Sequence, residues 1–488
     1  MVYLFRIREY FDGMQKIILI IFLLFSLIIF PQDKNTIVEK LDKLLSSNFF
    51  ESALAAVDVY DLTGKQVVYQ KNNKYLMHPA SNMKILTSAA GLFFLGPDYY
   101  FETTLYYKGD IKDRVLNGDI YVVGGFDPDF SIYDLDYFVD AIDSLGIKEI
   151  NGNLFADVSR MDTIYWGEGW MWDDDPSTDA PYLSSLNINM NSVDVFLLGT
   201  EVGKNAQVIL NPYSDYFKVS NETITIPPDE DNSYFITRDW MNKSNIIIAM
   251  GKVNKQTRIS GEEEPVSLNV FRPDLYFLTL FKETLERKGI KVNGSLNNFW
   301  LPYDAIYLRT FSRPFTEVIK RVNKVSSNLN AEMVLYAMAE KYYGKPATSK
   351  NGIKVINNLI SMAGMNPEKY RLVDGSGLSH YNLVSAELIL AVLKHMYYEE
   401  PELYQVLIES FPIAGVDGTL GRRMDESIAE NKVRAKTGTI SGVSALSGYI
   451  TSKSGNLLAF SILMQNFVNN TSTARTFQDE ICKILAEY

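Results

Sequence analysis

The chain has 488 residues, 47% apolar and 22% charged, an ordinary globular balance in more chain than one compact core holds. A net charge of −12 argues against a nucleic-acid partner, which requires clustered lysine and arginine. The single cysteine, Cys482, excludes an intrachain disulfide and a cysteine-rich metal site, and within a C-terminal helical pattern it reads as a small buried apolar residue.

Arg6, Arg8 and Lys16 precede a run from Ile17 to Phe30 that is apolar except for Ser26. A basic flank followed by an apolar core is the layout of a signal peptide, and the run is short for a membrane span. Phe30, Pro31 and Gln32 offer no small-residue cleavage site. Residues 1–34 therefore read as a signal peptide or an uncleaved N-terminal anchor rather than a buried helix, and either implies export.

Residues 36–45 have helical periodicity, followed by a hairpin of Ala53–Tyr60, a turn at Asp61–Gly64 and Gln66–Gln70. Ser81–Leu95 reads as a buried helix stopped by Gly96-Pro97. A long region, 101–302, then shows strand-like segments (Phe101–Tyr107, Asp119–Val123, Ile246–Met250) with turns at Asn117-Gly118, Gly124-Gly125 and Asn151-Gly152. Helical patterns return at 315–343, 351–363 and 384–398. Strands follow at Lys432–Lys436, Ser444–Thr451 and Leu457–Gln465, then a terminal helix from Thr471. Helix and hairpin at one end, hairpin and helix at the other, predict an α+β chain with one sheet built from both ends and the middle inserted.

A serine hydroxyl is a weak nucleophile until a base takes its proton, and lysine serves once burial or a second cation lowers its pKa. Ser81-Asn82-Met83-Lys84 places the two side chains on one helical face, and no other Ser-x-x-Lys occurs. Lys436-Thr437-Gly438, followed by Thr439, ends a strand whose edge suits an extended peptide. Its lysine and hydroxyls suit a carboxylate, and its glycine a close ligand. Ser326-Ser327-Asn328 is a common tripeptide, distinguished here by lying between those two motifs and before the helical run Ala331–Tyr343.

Together these three motifs resemble those of penicillin-binding proteins and β-lactamases. The 245 residues between Ser81 and Ser326 narrow the likeness to the D-alanyl-D-alanine carboxypeptidase/endopeptidase family, the class C low-molecular-mass penicillin-binding proteins. Asn117–Tyr121, Gly124–Pro128, Gly169–Asp174, Ala180-Pro181 and Asp374–Ser379 look similar to that family too. The resemblance implies a penicillin-binding/β-lactamase-like catalytic domain, an antiparallel sheet flanked by helices, from residues 35–100 and 303–488. It implies β-rich inserted domains, two small ones, within 101–302.

It further implies hydrolysis of peptidoglycan stem peptides ending in D-Ala-D-Ala, outside the cytoplasm or in a periplasm. β-Lactam antibiotics are then covalent inhibitors. No metal, cofactor or nucleic acid is expected, and membrane contact only through the N-terminal segment. Ser81 would attack with Lys84 as base. Lys436 would help keep Lys84 neutral, Ser326 would relay a proton, and Asn328 would fix Lys84 and the substrate amide. Thr437, Gly438 and Thr439 would receive the terminal carboxylate, and the N–H groups of Ser81 and Thr439 the oxyanion. His380 stands where the family commonly has arginine, and imidazole is a poorer carboxylate clamp than guanidinium. Asp174 resembles an acidic partner for a side-chain amine, and Asp179 replaces a frequent aromatic.

A Ser-His-Asp hydrolase is disfavoured: there are three histidines, His78, His380 and His395, and no Gly-x-Ser-x-Gly. The alternatives kept open are a β-lactamase of the same fold and a non-catalytic peptidoglycan-binding scaffold.

Overall fold

The computed structural model describes residues 34–258, 265–468 and 470–488. The signal-peptide or anchor reading of residues 1–34 lies, apart from Lys34, outside the described residues. Among these, no helix is long and apolar enough to cross a membrane. Helix α1 (Lys34–Leu44) leads into a hairpin, β1 (Leu54–Asp61) and β2 (Gln66–Lys71). At its turn Asp61 Oδ1 accepts the N–H of Gly64 at 2.8 Å. A short 3-10 turn, Ala80–Asn82, opens into α2 (Met83–Phe94).

From Tyr100 the chain leaves that unit. β3 (Tyr100–Lys112), β4 (Val115–Val123), α3 (Leu135–Ser144), β5 (Glu149–Ile150) and β6 (Leu154–Asp157) come first. Next are β7 (Ser192–Leu198), β8 (Gln207–Asn211), β9 (Lys218–Ile226), β10 (Ser233–Arg238), β11 (Ile246–Asn254) and β12 (Val266–Asn269). The last are α4 (Pro273–Arg287), β13 (Lys291–Val292), β14 (Leu296–Asn298) and β15 (Ile306–Pro314). They form two three-stranded sheets, β10-β11-β9 and β12-β7-β8, and a seven-stranded one with the main path β13-β5-β4-β3-β15.

One feature differs from the sequence reading. A strand-and-turn account omits α3 and α4, although Leu135, Phe138, Val139 and Ile142 follow helical spacing and are buried. Strand β15, which follows residue 302, pairs with β3, Phe311 opposite Thr103, and so joins the sheet of the excursion.

The chain returns through α5 (Phe315–Lys324) and α6 (Asn328–Tyr343). The helical pattern over 315–343 breaks between them, with Ser326 at φ +62°. Helices α7 (Ser349–Met362), α8 (Ala386–Glu399) and α9 (Pro401–Ser410) precede β16 (Val433–Ile440), β17 (Val443–Thr451), β18 (Leu457–Gln465) and α10 (Thr471–Ala486).

The two ends then meet: the five-stranded order is β16-β17-β18-β1-β2, with Val57 of β1 opposite Ile462 of β18. Strand alternation gives this sheet two faces. Ala445, Leu463 and Ala56 pack with α2, α6, α7 and α8, while Leu446, Ile462 and Val57 pack with α1 and α10 around buried Cys482. All residues from Met83 to Leu92 are buried. At roughly 1.5–3 kcal/mol for each large apolar side chain, α2 is fixed inside the core, and its first turn is a rigid platform.

Candidate active site

Ala80, with φ +45°, bends the chain into the turn that presents Ser81. Three residues on, Lys84 Nζ lies 2.8 Å from Ser81 Oγ, 2.5 Å from Asn328 Oδ1 and 2.7 Å from the Ser376 carbonyl oxygen. The last two groups can only accept. A neutral Lys84 donates its two N–H bonds to them, which leaves its lone pair directed at the Ser81 hydroxyl. Burial pushes Lys84 down to about 8, against the pull of the Asp374, Glu332 and Asp179 charges. A lysine so lowered can act as a base near neutrality.

On the far side of the cleft, Lys436 Nζ donates to Ser326 Oγ and to the Thr437 carbonyl, both at 2.8 Å. Burial pushes Lys436 well below the usual lysine range, and the charge of Lys84 lowers it further. Asn328 Nδ2 donates to the Asp179 carbonyl at 2.5 Å. Asn328 thereby ties Lys84 to the rim of the cleft.

Strand β16 is an edge strand covered along only part of its length. Ala435 N–H donates to Pro412 and Ala414 N–H to Val433, so the odd-numbered residues turn backbone groups outward. Thr437 and Thr439 share this parity and lie beyond the cover. Gly438 also permits a close approach within the protein: a Cβ there would lie 3.0 Å from both the Pro79 carbonyl oxygen and the Ser81 nitrogen. The missing side chain makes room for the Ser81 turn itself. A cleft of about 380 Å³ joins Ser81, Ser326, Asn328, Thr437, Gly438 and Thr439. A larger cavity, about 600 Å³ and lined by Tyr182, Arg272 and Trp300, contains none of these groups. The chemistry favours the smaller one.

The profile of the D-Ala-D-Ala carboxypeptidase 3 (S13) family matches residues 37–488. The chain belongs to that family. It is a serine-type D,D-peptidase with a penicillin-binding/β-lactamase-like fold. It is 30% identical over 469 residues to a D-alanyl-D-alanine carboxypeptidase of an Actinomadura species, spanning 92% of this chain and 84% of the relative. Penicillin binding protein 4 (dacB) of Haemophilus influenzae superposes with a TM-score of 0.80 at 26% identity, covering 92% of this chain and 99% of the other. The same Haemophilus protein complexed with a β-lactam gives a TM-score of 0.73 at 25% identity, covering 91% and 98%.

Lys84 is also held by way of Glu332, a residue that motif reading passed over. Glu332, buried on α6, accepts the N–H groups of Gly375 at 3.0 Å and Ser376 at 2.8 Å, fixing the carbonyl that receives Lys84. Burial pushes the Glu332 carboxyl up, as does the Asp374 charge. An acid four residues after Asn328, inside the apolar run of α6, was the available signal. Asp374 accepts from Gly377 at 2.9 Å, Ser379 and Asn382 at 2.7 Å and the Trp170 indole at 3.0 Å. The segments Gly169–Asp174 and Asp374–Ser379, far apart in the chain, thus meet at one carboxylate.

Asp174 and His380 are not among the residues lining the Ser81 cleft. Asp174 Oδ2 accepts the Met171 N–H at 2.8 Å, and its carboxyl is pushed up mainly by burial. His380 stands edge-on to His78, ring centres 5.7 Å apart. Two arginines of the peptidase cleft, Arg423 and Arg475, had no sequence signal. Among the described residues, no group of three His, Cys, Asp or Glu gathers at metal-binding distance.

Proposed function

We propose that this peptidase hydrolyses D-alanyl-D-alanine-type bonds of peptidoglycan stem peptides through an acyl-enzyme at Ser81. Lys84 takes the Ser81 proton as Oγ bonds to the penultimate carbonyl carbon. The N–H groups of Ser81 and Thr439 receive the oxyanion. The C–N bond breaks and the leaving amine takes a proton through Ser326, which Lys436 supports. Water then attacks the ester, yielding the shortened peptide and restoring Ser81. Thr437 and Thr439 face the terminal carboxylate. Asp174 and His380, set back from Ser81, would meet a longer donor side chain.

The observation carrying this reading is the 2.8 Å contact of Lys84 Nζ with Ser81 Oγ, its other two directions filled by Asn328 and Ser376. Residues 35–100 and 315–488 act as the catalytic unit, and 101–314 as an insertion whose segment 172–182 borders the cleft. The enzyme acts outside the cytoplasm, where its substrate lies, and residues 1–34 export or anchor it. β-Lactams acylate Ser81 covalently, a reading supported by the β-lactam complex of the Haemophilus relative. Incubation with labelled penicillin tests this. A long-lived adduct, lost in Ser81→Ala, is expected. Normal labelling of the alanine variant would overturn the assignment, and rapid release of hydrolysed penicillin would favour a β-lactamase.

A further inference from the structure

The cleft must meet a negative charge wherever the substrate ends in a carboxylate, and its two motif lysines are poor candidates. Both are buried, and burial drives both toward the neutral amine. The Thr437 and Thr439 hydroxyls supply hydrogen bonds without charge. Two guanidinium groups, which stay charged, line the same cleft. Arg423 is already engaged: it donates to Asp479 Oδ1 at 2.6 Å and to Gln478 Oε1 at 3.1 Å. Arg475 donates to Thr439 Oγ1 at 3.3 Å. Among the described residues, no carboxylate lies within ion-pair distance of it. Asp479, one helical turn on, has its charge taken by Arg423.

The placement of Arg475 follows from how the last helix docks. Thr439 of β16 stands opposite Ser444 of β17. Gln478 Nε2 of α10 donates to Ser444 Oγ at 3.0 Å. Arg475 precedes Gln478 by three residues on the same helical face. Docking Gln478 on Ser444 therefore delivers Arg475 to the neighbouring Thr439, at the end of the cleft beyond Ser81.

We infer that Arg475 selects the leaving group by pairing with a carboxylate borne on the carbon next to the scissile amide nitrogen. The inference rests on the D,D-peptidase reading above and sharpens it. Leaving amines of this kind include terminal D-alanine and the carboxylate-bearing centre of a diamino acid in a cross-link. An unbranched terminal amine, such as that of a lysine side chain, lacks the carboxylate and is disfavoured.

The test compares an acyl-D-Ala-D-Ala peptide with the same peptide closed as its C-terminal amide, using the wild type, Arg475→Gln and Arg475→Lys. The acid-to-amide ratio of kcat/KM is expected to fall about tenfold in Arg475→Gln, through KM of the acid, and to be partly restored in Arg475→Lys. A purely structural role would lower both peptides alike, and an unchanged ratio in an active Arg475→Gln would overturn the inference. If the wild type cleaves neither peptide, the D,D-peptidase reading fails and this inference falls with it.

Discussion

The amine of Lys84 rests 2.7 Å from the carbonyl oxygen of Ser376, a distance between its 2.5 Å contact with Asn328 and its 2.8 Å contact with Ser81. The Ser376 N–H is held at 2.8 Å by Glu332. Lys84 is therefore oriented from a loop that carries none of the three motifs. Glu332→Gln removes a negative charge that raises Lys84, so the Lys84 pKa falls. The acid limb of the acylation profile should move to lower pH. The amide also presents an N–H₂ to backbone donors, costing about 1–3 kcal/mol in denaturant unfolding. An unmoved limb in a folded variant would argue that Glu332 does not act on the base.

The wild-type profile has a defined sign. Lys84 must be neutral to accept the Ser81 proton, and burial places its titration at about 8. The rate of acylation by a penicillin should climb about tenfold per pH unit below that point and level off above it. Stopped-flow measurement from about pH 6 to pH 9 decides this. A rate that is flat or falls across that range would show that Lys84 is not the base.

Gly438→Ala tests the close approach of β16 to the Ser81 turn. The new methyl would stand 3.0 Å from the Ser81 nitrogen. Relief requires shifting the nucleophile by a few tenths of an ångström, and acylation should slow by roughly 10- to 100-fold. Loss of thermal stability should be modest, since only local repacking is needed. Full acylation activity in this variant would show that the turn can yield without consequence.

The inserted region reaches the cleft through the Asp179 carbonyl, and a buried ion pair within the insertion holds the segment that carries it. Arg238 on β10 binds Asp175, and Asn269 Nδ2 on β12 donates to the Ala180 carbonyl at 2.7 Å. These contacts bracket Asp179, whose carbonyl receives Asn328. Arg238→Met leaves Asp175 unpaired, and a stability loss of about 3–5 kcal/mol is expected in urea unfolding. Penicillin acylation by the fraction still folded should also slow. Wild-type acylation in the folded variant would uncouple the insertion from catalysis.

The parts of the site written as local spacing were legible in the sequence. Ser81 and Lys84 form a one-turn relationship, and a lysine ending a strand next to threonine and glycine is readable without a fold. The parts that depend on tertiary contact were not. The break between α5 and α6 at Ser326 is hidden because residues on both sides keep helical periodicity. Glu332 looks like any helical glutamate until the Gly375–Ser376 backbone is brought against it. Arg475 gains its place only when α10 docks on β17. Asp174 and His380, named from similarity, lie outside the wall that contains Ser81, because Asp174 caps its own turn and His380 packs beside His78. The helices α3 and α4 were missed because neighbouring strands dominated the pattern around them.

The pairing of β1 with β18 has a consequence in time. Strand β1 is separated from its partner by most of the chain, and the Lys436 strand enters the sheet only through β17 and β18. A polypeptide growing from its N-terminus carries Ser81 and Lys84 long before it carries the residues that make them reactive. Contacts so distant in sequence form late and slowly. On the proposed mechanism, Ser81 would gain its reactivity only after the strand bearing Lys436 has joined the sheet.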